Sequence, residues 1–266
     1  RGPPWPPRTL GRSDGLGVVP DAGVTAPLTV VELGRRPYAP VLELQRALCR
    51  ARVEGQITED LLLLVEHDPV MTLGRSTQTS SLPIPPAELP SHGVEVFEIE
   101  RGGDVTFHGP GQLVGYPIVD LQQLKPDLHW YLRELEGALI DALGTLGIPG
   151  QRSKGQTGVW VGPRKIASIG VHVKKWITLH GFALNVTTDL KYFDLIVPCG
   201  IEGVEMTSVR READGRMDGW ADAEVWASTR DAVVAAFGAR FGRVVTPRTL
   251  DEVIGNLPEL AGVLSA

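Results

Sequence analysis

The stretch Lys165-Ile166-Ala167-Ser168-Ile169-Gly170-Val171-His172-Val173 and the stretch Thr178-Leu179-His180-Gly181-Phe182-Ala183-Leu184-Asn185-Val186 are both strand-like, and only Lys174-Lys175-Trp176-Ile177 separates them. A tight hairpin across that link sets Gly170 opposite Gly181 and Ser168 opposite Ala183. The triplets Ser168-Ile169-Gly170 and Gly181-Phe182-Ala183 then make a shallow patch of exposed backbone against which a ligand can lie closely. In this register the opposite face carries Lys165, Ile169, Phe182 and Leu184. The lysine stands at the edge of an apolar surface, where loss of water favours its neutral form and helps it accept a proton. A β-bulge would reverse the faces, and an ordinary core hairpin with a surface lysine is the plain alternative.

On either side of this hairpin the pattern is mixed α and β. Leu28 to Leu33 and Leu61 to Glu66 are apolar runs of strand length, and between them Val41, Leu44, Leu48 and Arg52 recur at helical spacing over residues 40–54. That helix holds Cys49, next to Leu48, where packing is its expected role. Val94 to Ile99 alternates as a strand does. Asp127 can cap a helix whose Tyr131, Leu135, Leu139, Leu143 and Leu146 share a face, with Gly147 near its end. A last helix follows Asp222, with Val225, Val233, Phe237 and Phe241 on one side.

At 266 residues and 42% hydrophobic content the chain can bury one sizeable core, so one domain is expected. Its longest apolar run, Leu61 to Val65, is far too short for a membrane-spanning helix. Two cysteines, one of them on an expected helix, make neither a disulfide framework nor a zinc site, and a reducing cytoplasm fits them best. Residues 1–27, rich in proline and glycine, show no hydrophobic periodicity and read as a flexible tail. They lack the apolar segment of a signal peptide, and Asp14 and Asp21 are foreign to a transit peptide. The expected division is the tail, a catalytic domain over 28–245 and a C-terminal extension over 246–266.

Two segments carry candidate chemistry besides the hairpin. Arg101 to Gln112 contains four glycines and a proline around His108, which lets backbone amides approach a ligand without interference from Cβ. No Gly-Lys-Ser/Thr follows, so this is not a nucleotide-binding P-loop, and a structural turn is the default for such a segment alone. The six histidines show no metal-ligand spacing; His108 and His180 are the two candidate proton carriers, while His92, His129 and His172 look incidental. Further on, Ile196-Val197-Pro198-Cys199-Gly200-Ile201 holds a thiol on a bend between proline and glycine. A nearby cation stabilises the reactive thiolate, so a lysine such as Lys165 is a sensible companion; burial as a small apolar residue is the commoner fate of a lone cysteine.

Five segments occur in order: Leu64 to Arg75 with His67-Asp68-Pro69, Arg101 to Leu113, Lys165 to Gly170, Thr178 to Asn185, and the cysteine segment. Together they strongly resemble the octanoyltransferases of lipoate synthesis, or lipoyl(octanoyl) transferases, from about Leu28 to about Phe241. The resemblance implies an α/β (α+β) single domain with a mixed, largely antiparallel sheet flanked by helices, as in biotin and lipoate protein ligases. It implies Cys199 and Lys165 as catalytic residues. It also implies an acyl-substrate pocket lined by Arg101, Gly102, Gly103, Asp104, Val105, Thr106, Phe107 and His108, completed by Ser168, Ile169, Gly170, Gly181, Phe182 and Ala183. The pattern is loose at Asp104 and Val105, whose side chains are expected to matter little.

The implied reaction moves an octanoyl group from the phosphopantetheine thioester of octanoyl-acyl carrier protein to Cys199. A lysine amine of an apo lipoyl domain, in a 2-oxoacid dehydrogenase subunit or the glycine-cleavage H protein, then takes it, as the first step of endogenous protein lipoylation. Backbone amides at the small-residue patch or the cysteine bend could stabilise the oxyanion. Thioester to amide is downhill, so no ATP, metal or other cofactor is needed. Burying six methylenes would contribute roughly 5 kcal/mol to holding the chain. Charge agrees with an acidic protein partner: residues 151–191 hold Arg152, Lys154, Arg164, Lys165, Lys174, Lys175 and Lys191 against the single acid Asp189. A net charge of −6 and the lack of a binding motif speak against nucleic acid. The alternatives are an ATP-dependent lipoate or biotin ligase, which needs no nucleophilic cysteine, a non-catalytic carrier-protein-binding module, and a cysteine hydrolase pairing Cys199 with a histidine.

Overall fold

In the computed structural model, which describes residues 27–255 and 257 with the exception of 202, the long sheet has eight strands. In chain order they are β1 (Pro27–Arg36), β2 (Asp60–His67), β6 (Gln112–Ile118), β7 (Gln151–Ser153), β8 (Gln156–Val161), β9 (Arg164–Lys174), β10 (Ile177–Asn185) and β11 (Val244–Pro247). They lie in the order β11-β1-β2-β6-β10-β9-β8-β7. β1 runs parallel to both β11 and β2, and every other neighbouring pair is antiparallel. The sheet is therefore mixed and largely antiparallel, as expected. A second, small sheet of β3 (Val70–Leu73), β4 (Glu95–Glu98) and β5 (Thr106–His108) sits beside it, with β3 in the middle.

Helices cover both faces, which explains why β2 is apolar without alternation. Leu62 and Leu64 point into a core built from α2 (Leu128–Thr145) and α4 (Asp222–Phe241), with Tyr131, Leu135, Leu139, Phe237 and Phe241. Leu61, Leu63 and Val65 point the other way, against Val41, Leu44 and Leu48 of α1 (Tyr38–Val53). The Asp127 carboxylate accepts a hydrogen bond from the Trp130 amide at 3.0 Å and so caps α2. Cys49 is buried in the α1 core, as a packing residue.

Residues 1–26 of the expected tail lie outside the described residues, and Pro27 already belongs to β1. The boundary expected after residue 245 falls inside β11. The α3 turn (Val209–Glu212) precedes α4, and α5 (Leu250–Ile254) follows β11, placing Val253 and Ile254 in the α1 core. The described part of the expected C-terminal extension is thus part of the same layered body. No helix among the described residues is long and apolar enough to cross a membrane.

Candidate active site

The hairpin of β9 and β10 has the register expected from its sequence: Gly170 pairs with Gly181, Ser168 with Ala183 and Ile169 with Phe182. Ile169, Phe182 and Leu184 pack on the α2 and α4 core, as that register requires. Lys165 does not join them. Opposite β8, Trp160 pairs with Lys165 and Val159 with Ala167, so Ile166 is an extra residue and the strand bulges there. The bulge turns the lysine to the face of Ser168, which corrects the expected placement. The backbone at this point is also fixed from the other side, since the Lys165 amide donates to the Glu205 carbonyl and the Thr207 amide to the Lys165 carbonyl.

There the Lys165 amine meets Cys199, with Nζ 2.9 Å from Sγ, and the Ser168 hydroxyl lies 3.8 Å from the same sulfur. Lys165 is only 1% exposed, yet its Nζ sits 5.5 Å from the centre of the Trp160 ring, whose face favours a cation. Gly158 makes room for the lysine stem. Cys199 itself has φ +58°, an uncommon conformation for a residue with a side chain, and Pro198 and Gly200 flank it in a tight turn. Backbone bonds hold that turn: Val197 donates to the Ser81 carbonyl at 2.9 Å and Cys199 to the Val105 carbonyl at 3.1 Å. Gly200 and Ile201 donate to Val197 and Pro198. The amides of Val197, Cys199, Gly200 and Ile201 are thus engaged, so of the two places considered for oxyanion donors the bend offers none.

Cys199 and Lys165 open onto a cavity of about 260 Å³. Of the residues expected to line it, Arg101, Gly103, Asp104, Thr106, His108, Ser168, Ile169, Gly170, Gly181, Phe182 and Ala183 do so. Gly102, Val105 and Phe107 do not. In the short strand β5, Thr106 and His108 turn inward, while Phe107 turns away to stack on Tyr192 at 4.6 Å in a separate apolar cluster that also buries Val105. The two glycines of the hairpin are small for the sake of the protein's own backbone as well as any ligand. A Cβ on Gly170 would come 2.9 Å from the Gly102 carbonyl, and one on Gly181 would strike the Gly115 carbonyl.

Arg101 is a clamp rather than a free cation. Its guanidinium donates to the carbonyls of Thr72 at 2.6 Å and Asp104 at 2.7 Å and to the Thr72 hydroxyl at 2.9 Å, which ties the Gly-rich loop to β3. The Asp104 side chain, expected to matter little, accepts from the Ser81 hydroxyl at 2.5 Å and from the Val105 amide at 2.7 Å. It thereby braces both segments that hold the cysteine turn.

His108 and His180 both line the cavity, but neither hydrogen-bonds Cys199 or Lys165. Gln112 donates through Nε2 to the Phe107 carbonyl and to Asn185, so its Oε1 must accept from His108 Nδ1 at 2.8 Å. That leaves Nε2 of His108 as the bare nitrogen, facing the Thr72 hydroxyl at 3.4 Å. Burial pushes the His108 imidazole down to about 3. Such a ring is held neutral near pH 7, and its position in the chain of bonds fits alignment of the loop. His180 is also shifted down by burial, with Glu100 opposing the shift.

The basic stretch proves divided. Arg152 is bonded to the buried Glu136, Arg164 forms a bidentate pair with Glu212, and Lys165 is internal. Lys154, Lys174, Lys175 and Lys191 are exposed, as is Arg152 despite its bond to Glu136. Residues that the sequence alone did not single out include Tyr38, Val114 and Tyr116 on the cavity wall and Gly158 and Ser81 behind the dyad. Only Gly158, a glycine inside an apolar strand, carried a sequence signal of close approach.

A buried lysine against a turn-mounted thiol beside a half-open pocket is an arrangement that can activate a thiol for attack on an acyl group. The lipoyl protein ligase A/B catalytic domain matches residues 37–231. The octanoyltransferase of Acidobacterium capsulatum is 46% identical over 249 residues, covering 88% of this chain and 97% of its own. That of Solibacter usitatus is 54% identical over 170 residues, covering 64% and 77%. A solved structure of a bi-partite lipoate protein ligase from Thermoplasma acidophilum superposes with a TM-score of 0.61 at 18% identity, over 89% of this chain and 91% of that one, and shows the fold alone. The chain belongs to the octanoyltransferases of the lipoyl protein ligase A/B catalytic family.

Proposed function

We propose that Cys199 is the nucleophile and Lys165 the proton carrier of an octanoyl transfer from acyl carrier protein to lipoyl domains. The observation that carries this reading is the 2.9 Å approach of Lys165 Nζ to Cys199 Sγ at the cavity. An ammonium at that distance stabilises the thiolate. The thiolate attacks the thioester carbonyl of octanoyl-acyl carrier protein, and the tetrahedral intermediate expels the phosphopantetheine sulfur, which takes a proton from the Lys165 ammonium. The neutral Lys165 then receives the proton released when the lysine amine of an apo lipoyl domain attacks the Cys199 thioester. Departure of the Cys199 thiolate restores the starting pair. No ATP enters this scheme.

The acceptors in this reading are apo lipoyl domains of 2-oxoacid dehydrogenases and of the glycine-cleavage H protein. Exposed Lys154, on the turn between β7 and β8 next to cavity-lining Gly155 and Gln156, is suited to meet an acidic carrier protein. We assign the reaction to the cytoplasm, where a free thiol such as Cys199 stays reduced. The test is intact-mass measurement after mixing the protein with octanoyl-acyl carrier protein without ATP. An octanoyl adduct that is absent from Cys199→Ser and passes to an added apo lipoyl domain is the expected result. Transfer that appears only with free octanoate and ATP would overturn the scheme.

A further inference from the structure

The floor of the cavity is a row of three residues on three adjacent strands. Ser168 of β9 lies opposite Ala183 of β10, and Ala183 lies opposite Val114 of β6. Cross-strand partners share a face, and all three residues line the cavity. The row begins at the nucleophile, since the Ser168 hydroxyl is 3.8 Å from Cys199 Sγ. Two strand spacings separate its ends, a span of about 10 Å. An extended eight-carbon acyl chain measures about 9 Å from carbonyl to methyl, given carbon–carbon bonds near 1.5 Å.

Beyond Val114 the floor stops. Val114 is fully buried and belongs to the core beneath α1, with Val65 and Leu44. The walls around that end are polar at their tips. Tyr116 donates its hydroxyl to His67 Nε2 at 2.8 Å, and His180, turned out of the strand by a φ of +58°, holds its Nε2 3.8 Å from a Glu100 carboxylate oxygen. His67 Nε2 must be the acceptor there, because Nδ1 donates to the Arg36 carbonyl. A chain that passed Val114 would press methylene against these groups and gain little for it.

We propose that Val114 is the specificity-determining residue for acyl length, the stop at the end of a ruler laid across three strands. Ala183 is the middle mark, small so that the chain can pass. This rests on the thioester route proposed above and adds to it where the chain ends. The experiment compares hexanoyl-, octanoyl-, decanoyl- and dodecanoyl-acyl carrier protein as donors and reads the adduct on Cys199 by intact mass under competition.

For the native protein octanoyl adduct should dominate. In Val114→Ala the ratio of decanoyl to octanoyl adduct should rise a few-fold, about the value of burying one more methylene before the polar tips are reached. In Ala183→Val the preference should move the other way, toward hexanoyl, which keeps the test decisive should the Val114 variant fail to fold. A chain-length profile unchanged in a folded Val114→Ala, or in Ala183→Val, would overturn the ruler while leaving the acyl-enzyme intact. Failure of the native protein to form any octanoyl adduct would instead remove the thioester route on which it rests.

Discussion

Gly158 and Lys165 occupy one space: a Cβ on Gly158 would lie 2.8 Å from Lys165 Cε and 2.6 Å from the Ala167 carbonyl. The glycine has φ +134°, and its amide donates to the carboxylate of Glu136, a fully buried acid on α2 that also receives Arg152. The side chain at 158 is missing so that the lysine can reach the thiol.

Gly158→Ala should therefore lower stability by about 1–3 kcal/mol through overpacking and slow octanoyl-enzyme formation at least tenfold by moving Nζ. Gly144→Ala on α2, where a Cβ meets nothing within 4 Å, should instead stabilise the fold by about 0.5–1 kcal/mol. Urea denaturation with burst-phase mass measurement checks both. Equal behaviour of the two variants would contradict the shared space.

Lys165→Ala should reduce the rate of acylation by about 100-fold or more, the usual weight of a positioned proton carrier. Lys165→Arg separates its two tasks. A guanidinium can stabilise the thiolate but neither gives a proton to the departing sulfur nor takes one from the incoming amine, so the adduct should form more slowly than in the native protein and then persist when apo lipoyl domain is added. Single-turnover transfer measures this, and unimpaired transfer by the arginine variant would exclude the proton-carrier role.

Asp104→Ala should loosen the cysteine turn, because it removes the acceptor of both the Ser81 hydroxyl and the Val105 amide. A stability loss of about 1–2 kcal/mol is expected for a half-buried amide left without its partner. The rate of Cys199 alkylation by iodoacetamide should change with it, while Asp104→Asn, which keeps an acceptor, should restore most of the native rate. An unchanged alkylation rate in the alanine variant would count against the brace.

Acid should destabilise the fold before most carboxylates are protonated. Burial lowers His67 to about 4 and His108 to about 3 from an ordinary value near 6.5, and His172 and His180 move in the same direction. The unfolded chain then binds more protons than the folded one, so stability rises with pH across this window and is lost as pH falls from about 6.5 toward 4. For two such groups the slope should approach about 2.7 kcal/mol per pH unit near pH 5. Urea titrations from pH 7 to pH 4.5 test the sign, and a flat profile would show that these rings gain protons in the folded state.

Much of the scaffold could be read from local pattern. The β9–β10 register follows from a short link between two strand-like segments, and the α1, α2 and α4 faces follow from helical spacing. The family resemblance supplied the pairing of Lys165 with Cys199, which no spacing could have given. What escaped reading depends on partners far along the chain. The bulge at Ile166 arises where β9 meets β8 and where Lys165 bridges to Met206, so the face of the lysine was not a property of its own strand. The inward turn of Thr106 and His108 and the outward turn of Phe107 depend on pairing with β3, a strand of four residues with no alternation of its own. Asp104 looked dispensable because the family pattern is loose there, and its partner Ser81, 23 positions earlier, carried no signal of the contact.

The cysteine turn spends its own amides on itself and on Val105. In the proposed reaction, negative charge on the attacked carbonyl oxygen must therefore be met from outside that turn. Such a nucleophile suits a substrate whose leaving group departs readily, and a thiolate is one; an oxygen ester or an amide, whose leaving groups hold on longer, would stall at the intermediate. Within that scheme water arriving at a Cys199 thioester would likewise find no help from the bend, and the acyl group would be left to the stronger nucleophile, an amine.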